Sequence, residues 1–190
     1  MTKKFAICYA DPPWRYANNG GQGVAENHYP TMSLAEICAL PVADIVAKDS
    51  VLFLWATFPL LSEALRVITA WGFTYKTVAF VWLKQNKKSP SWFYGMGFWT
   101  RGNAEVCLLA TRGRPQRQSR SVHQLIVSPI EAHSKKPDAA REKIVALMGD
   151  LPRVELFARQ QAPGWDVWGN EVESNFDFGT ICPEVGKENF

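Results

Sequence analysis

The chain has 190 residues, 47% hydrophobic and 21% charged, with a formal net charge of +3. That length predicts one ordinary domain whose core needs no disulfide or metal staple, and the apolar content excludes intrinsic disorder. No apolar run of about 18 residues occurs, the start is too short for a secretory leader, and four cysteines (Cys8, Cys38, Cys107, Cys182) lie scattered without a C-x-x-C pair, so a cytoplasmic protein with no membrane span and no metal is expected.

In chain order, residues 5–10 read as a short buried strand that ends at Asp11-Pro12-Pro13-Trp14, where regular structure must stop. Residues 18–30 are loop, rich in Asn and Gly. No Gly-Lys-Ser/Thr follows Gly20-Gly21-Gln22-Gly23, so this reads as a lid on the substrate side rather than a phosphate loop. Ser33-Leu34-Ala35-Glu36 is a capping box opening a helix to about residue 40. A buried strand over 51–56 follows. Pro59 then enters the first turn of a helix with Leu61, Ala64, Leu65, Ile68 and Trp71 on one face, and Gly72 stops it. Strands are expected over 74–82, 104–111 and 125–127. Pro137 starts a helix with the stripe Ala140, Ile144, Leu147, Met148, closed by Gly149, and strands over 154–158 and 165–168 complete the pattern. Apolar strands alternating with helices predict an α/β fold, a mostly parallel sheet with helices on both faces. Ligands of such sheets bind beyond the carboxyl ends of the strands, which points to the loops at Asp11 and Arg159. The domain is expected over 1–172, with 173–190 a loosely attached acidic tail.

The charge is uneven. Residues 1–83 balance to zero, 121–190 carry −4, and 84–120 carry +7. The cations of that middle stretch are Lys84, Lys87, Lys88, Arg101, Arg112, Arg114, Arg117 and Arg120, against Glu105 alone. A solvated basic loop would read the same, but Trp92-Phe93-Tyr94-Gly95-Met96-Gly97-Phe98-Trp99 lies inside it. Aromatics beside cations suit nucleic acid, in which every base has a π-face and every phosphate a charge.

The chemistry is carried by Asp11-Pro12-Pro13-Trp14. Two prolines fix two φ angles and remove two N–H donors, leaving a rigid acceptor surface. The Asp11 carboxylate and a backbone carbonyl could grip both N–H bonds of one ring-attached NH₂, returning its lone pair to nitrogen and stabilising the charge that develops as it attacks. An ordinary proline turn with Trp14 in the core is the equally simple alternative. His28, His123 and His133 lack metal-ligand spacing, and no G-x-S-x-G elbow accompanies Ser128 or Ser134, so metal and hydrolase readings are set aside.

D-P-P-W after an apolar strand resembles the signature of S-adenosylmethionine-dependent adenine-N6 methyltransferases. The chain is similar to their MT-A70 family through Ala10–Trp14, Tyr29-Pro30-Thr31-Met32-Ser33 with Glu36-Ile37, Leu52-Phe53-Leu54-Trp55, Trp71-Gly72-Phe73 and Trp82-Leu83-Lys84. Further on the likeness continues through Gly97-Phe98-Trp99 with Glu105, Lys136-Pro137-Asp138, Glu155-Leu156-Phe157-Ala158-Arg159 and Trp165-Asp166-Val167-Trp168-Gly169-Asn170, in the family's order. The resemblance implies a Rossmann-like methyltransferase fold of the permuted type, with S-adenosyl-L-methionine as cofactor and adenine in nucleic acid as substrate. Asp11 and Pro12 would grip the amine, Pro13 would shape the loop, and Trp14 and Tyr29 would line the base. Asp11, Lys136, Phe157, Arg159, Gln161, Asn170 and Glu171 would face the cofactor. The chain departs from the family at Ala158, where Gly is common, and at Gln160-Gln161, where some relatives carry His-Asn. DNA is expected ahead of RNA, because the chain is a bare domain whereas eukaryotic messenger-RNA relatives are larger and work with a partner subunit. An RNA enzyme, or a catalytically inactive nucleic-acid-binding subunit of a complex, stands as the alternative, and a homo-oligomer or partner subunit stays open.

Overall fold

The structure, a computed structural model, describes residues 3–15, 31–97, 99–131 and 135–178. Its elements in order are β1 (Phe5–Ala10), α1 (Leu34–Ala39), β2 (Val46–Ala56), α2 (Leu61–Ala70), β3 (Thr74–Gln85), β4 (Ala104–Arg112), β5 (Leu125–Pro129), α3 (Ala139–Met148), β6 (Arg153–Leu156) and β7 (Asp166–Trp168). The strands form one sheet in the order β5-β3-β4-β2-β1-β6-β7. Parallel pairs join β1 to β2, β1 to β6, β6 to β7 and β3 to β5, while β4 runs antiparallel to both β2 and β3.

The strand side chains alternate between two cores. Cys8, Ala10, Leu52 and Leu54 pack with Ile37 of α1 and Ala64, Val67 and Ile68 of α2. Ile7, Tyr9, Phe53 and Trp55 pack on the opposite face with Ala140, Ile144 and Met148 of α3. Helices therefore cover both faces, which is why the central strands read as unbroken apolar runs. This is the Rossmann-like α/β arrangement.

Local signals act where expected. Ser33 and Glu36 cap α1 reciprocally, the Ser33 N–H donating to Glu36 Oε2 at 2.7 Å and the Glu36 N–H to Ser33 Oγ at 3.3 Å. Gly149 ends α3 at φ 89°, its N–H donating to the Val145 carbonyl at 2.7 Å. Pro59 lies in a 3-10 turn, Phe58–Leu60, just ahead of α2.

Three expectations change. Leu65 is 42% exposed and Val67 takes a buried place in its stead, because one step of about 100° past Ala64 carries Leu65 to the edge of the apolar stripe. The strands β2 and β3 run longer than their apolar runs, since Lys48, Asp49 and Lys84 continue the extended chain beyond the buried segment. Residues 173–178 are not loosely attached. Phe176 and Phe178 meet Phe5 and Trp168 with ring centroids 5.8 and 4.9 Å apart, and Asn175 exchanges hydrogen bonds with Val167 through its N–H and Oδ1. These six residues cover the β7 edge of the sheet; the rest of the expected tail lies outside the described residues. Among the described residues no helix is long and apolar enough to cross a membrane.

Candidate active site

The chain enters the sheet at its middle. From β1 it moves to β2 and outward on one side, and only later returns to add β6 and β7 on the other. Loops leaving the adjacent parallel strands β1 and β6 therefore diverge, and a crevice opens between them. Asp11 leaves one strand and Phe157 the other. Between them is a cavity of about 170 Å³, lined by Tyr9, Asp11, Lys135, Lys136, Arg141, Glu155, Phe157, Arg159, Gln160 and Glu171.

The Asp11–Trp14 corner is fastened on several sides. The Trp14 N–H donates to the Pro12 carbonyl at 2.8 Å, and the Pro13 carbonyl accepts the Met32 N–H at 2.9 Å. Trp14 itself is buried, its indole N–H donating to the Trp55 carbonyl at 3.2 Å. The indole thus pins the corner to β2, and the open face expected beside a base is instead packed in the core. Asp11 escapes this packing. Its side chain remains 25% exposed and faces the cavity.

Asp11 heads a chain of alternating charges. Lys136 Nζ lies 2.7 Å from Asp11 Oδ2 and 3.2 Å from Glu105 Oε2, and Glu105 is also paired with Lys84. The antiparallel course of β4 makes this possible, because it puts Glu105 just past the end of β2, at the same end of the sheet as Asp11. Burial raises the Asp11 carboxyl above its ordinary value, with Lys136 opposing the rise. Burial also works against the Glu105 charge, but Lys136 and Lys84 outweigh it and hold that carboxyl low. Lys136 is disfavoured by burial yet held firmly charged by its two carboxylates. Truncating one member of such a buried chain leaves an uncompensated charge.

Beyond Lys136, Arg141 grips Glu155 with two bonds, Nε to Oε2 at 2.6 Å and Nη2 to Oε1 at 2.9 Å. This pair forms the floor of the cavity and was absent from the sequence reading as a site; only the acid's place in an apolar strand hinted at a partner. Phe157 turns the chain out of β6 at φ 61°, a left-handed conformation costly for a bulky residue. Ala158 directly follows, 1% exposed, its N–H bonded to the Trp168 carbonyl at 2.9 Å. A Cβ on Gly169 would lie 2.1 Å from the Ala158 carbonyl oxygen. The glycine needed for close approach is thus Gly169, and alanine at 158 costs the turn nothing.

Other expected residues divide. Arg159 pairs with Glu171 at 2.8 Å on the cavity rim. Gln161 turns its amide to the Glu173 carbonyl at 2.7 Å, and Gln160 takes the place on the wall. Asn170 lies exposed after β7, outside the cavity lining. Tyr29 lies outside the described residues. The basic stretch does not form one surface. Lys84 faces inward onto Glu105 and the Trp82 ring, 4.9 Å from its centroid. Lys87, Lys88 and Arg101 are exposed at the Asp11 end of the sheet. Arg112 and Arg114 lie at the other end, past a strand that runs about 27 Å. Arg117 and Arg120 follow them there, since the N–H groups of Gln118 and Ser119 bond the Leu147 carbonyl at the end of α3. Among the described residues no His, Cys, Asp and Glu cluster could hold a metal ion.

The MT-A70 family model matches residues 5–171. The chain belongs to the MT-A70 family. It is a methyltransferase. The Type II methyltransferase M.MunI of Mycoplasma sp is 35% identical, over 91% of this chain and 80% of that protein. An N(6)-adenosine-methyltransferase MT-A70-like protein of Drosophila melanogaster is 30% identical over 90% of this chain and 27% of its own length. The N(6)-adenosine-methyltransferase catalytic subunit METTL3 of Homo sapiens is 28% identical over 90% of this chain and 28% of its own. The chain thus spans most of the bacterial relative and about a quarter of the animal ones.

Proposed function

We propose that this methyltransferase moves the methyl group of S-adenosyl-L-methionine to the exocyclic N6 amine of adenine in nucleic acid, with DNA as the substrate ahead of RNA. One observation carries the reading: a carboxylate on a rigid proline corner faces the cavity between two diverging strand ends. DNA is favoured because the type II relative is 35% identical to this chain, against 30% and 28% for the two adenosine-methyltransferase relatives.

The donor set fits the cofactor. Its amino-acid end carries both charges, and the cavity offers both, with Asp11 and Glu171 beside Lys136 and Arg159, while Phe157 adds an apolar wall. When bound, the cofactor supplies an electrophilic methyl on a sulfonium, so no metal is needed for activation. Lys136 occupies Asp11 Oδ2 and leaves Oδ1 to accept an N–H of the target amine. The Pro12 carbonyl, which already accepts one bond from Trp14, has a second lone pair for the other N–H. Two acceptors held in advance favour the pyramidal nitrogen and the positive charge that grows on it. Lys136 also opposes the rise that burial imposes on Asp11 and so favours the ionised carboxylate, the stronger acceptor.

The test is incubation with methyl-labelled cofactor and unmethylated DNA or RNA, followed by digestion and nucleoside analysis. Label in N6-methyladenine from DNA is expected. Label in a methylated cytosine, or cofactor binding with no transfer to any nucleic acid, would displace the reading, the latter in favour of a non-catalytic subunit.

A further inference from the structure

We propose that Trp99 is the side chain that enters the DNA duplex when adenine leaves it, filling the gap in the stack beside the turned-out base. The inference rests on the nucleic-acid reading above and adds duplex opening to it. An adenine amine inside a duplex cannot reach Asp11, so the base must swing out, at the cost of its pairing and stacking. Enzymes that distort DNA offset such costs with wedge side chains placed between base steps.

Residues 86–103 leave the sheet between β3 and β4 at the Asp11 end. The excursion is fastened at its root, where the Lys84 N–H bonds the Asn103 carbonyl at 2.9 Å and the Phe93 N–H bonds the Lys84 carbonyl at 2.9 Å. A second loop closes above it through the Gly95 N–H and the Gly102 carbonyl at 2.6 Å. Its turn is too tight for a side chain at Gly97, where a Cβ would lie 2.1 Å from the Thr100 carbonyl oxygen. That turn lifts Trp99 into solvent, 98% exposed, with Met96 and Tyr94 exposed below it. An indole held almost wholly in water, on a loop closed by a backbone bond, is placed to meet something apolar. Trp99 is four chain steps from Asn103, a reach of at most about 14 Å. Two residues past Asn103, Glu105 is joined through Lys136 to Asp11.

Charge selects the occupant. Residues 84–103 hold Lys84, Lys87, Lys88 and Arg101 and no acidic residue. A second copy docking by this same loop would set like charges against each other across a two-fold axis. A duplex offers phosphates to the cations and a vacated stack to the indole.

The experiment compares Trp99→Ala and Trp99→Phe with the natural protein on unmethylated plasmid-length DNA, intact and heat-denatured. Trp99→Ala is expected to lower kcat/KM on intact duplex by about tenfold to a hundredfold. On denatured DNA it should stay within about threefold, and Trp99→Phe should restore most duplex activity. Unchanged cofactor affinity would confirm that the exposed position leaves the fold intact. Equal loss on both substrates would overturn the proposal in favour of a simple stacking platform. No loss on either would remove Trp99 from the reaction, and a change in sedimentation would assign it to contact between copies. Activity of the natural protein on single strands alone would end the wedge while leaving the methyltransferase reading in place. Absence of transfer to any nucleic acid would end both.

Discussion

The hairpin over 86–103 and the basic run over 112–120 flank the two ends of β4, and they differ in how they are held. The run is tied down: Arg112 Nη1 donates to the Ala43 carbonyl at 2.8 Å, the Arg114 N–H to Asp49 Oδ1 at 2.7 Å, and the backbone at 118–119 to the end of α3. The hairpin is joined to the sheet at its root and carries Trp92, Tyr94 and Trp99 in solvent. Similar charge density therefore supports different work. Arg112 at the far end braces the turn ahead of β2, while Lys87, Lys88 and Arg101 on the hairpin stand exposed at the end of the sheet where Asp11 lies.

The sharpest way to break this division is to change residues at each end of the sheet in turn. Asp11→Ala should lower turnover by about a thousandfold, since it removes an acceptor fixed in advance for the transition state. Cofactor affinity measured by calorimetry should fall far less than turnover, since Glu171, Lys136 and Arg159 remain on the cavity wall. The double change Arg117→Gln with Arg120→Gln should leave turnover untouched. A far-end variant as damaging as Asp11→Ala would erase the distinction.

Next in size is the stability difference between buried and exposed charge. Glu105 is 15% exposed between two lysines, whereas Arg159 and Glu171 are 39% and 50% exposed. Urea unfolding should show Glu105→Gln costing about 3 kcal/mol and Glu171→Gln less than about 1 kcal/mol. The Glu105 carboxyl is held below its ordinary value, so its contribution is complete above the unfolded glutamate range and is lost as pH falls through the lowered value. The gap between natural protein and Glu105→Gln should therefore close in acid.

These contrasts show which physical scale the sequence exposes. The Ser33–Glu36 box and the Gly149 stop involve neighbours a few residues apart, so side-chain type and spacing specify them. The strand cores read correctly for the same reason, since burial on both faces writes itself as a continuous apolar run. Direction was not legible. Nothing local to 104–111 reveals that β4 runs against its neighbours, and that reversal is what puts Arg101, and not Arg112, at the Asp11 end of the sheet. The ion pairs of the site span still longer intervals, Lys84 to Glu105 across 21 residues and Lys136 to Asp11 across 125. A lysine reads as a surface cation until the fold supplies its acid. Trp14 is similar: the motif names it, and only the position of the Trp55 carbonyl shows that its ring is spent on the core.

The coupling within the site gives a smaller, sharper test. Burial raises the Asp11 carboxyl, and Lys136 is the largest force against that rise. The ionised carboxylate is the stronger acceptor of an N–H, so kcat/KM should fall as pH drops through the Asp11 value. Lys136→Gln removes the opposing charge, and the acid limb should move to higher pH. A limb that stays put or moves down would detach Lys136 from Asp11 in the working enzyme.

The smallest effect separates the two basic regions by salt. Each phosphate contact removed should reduce the slope of log Kd against log salt by about 0.9 on duplex DNA. Replacing Lys87, Lys88 and Arg101 with Gln should thus flatten the slope by up to about three units, measured by anisotropy on a labelled duplex. Replacing Arg112, Arg114, Arg117 and Arg120 should flatten it less, despite removing one more charge, because a duplex centred over Asp11 lies about 27 Å from them. The opposite ranking would mean that the DNA path runs along the sheet to its far end, and the hairpin would then be gripping the target from one side only.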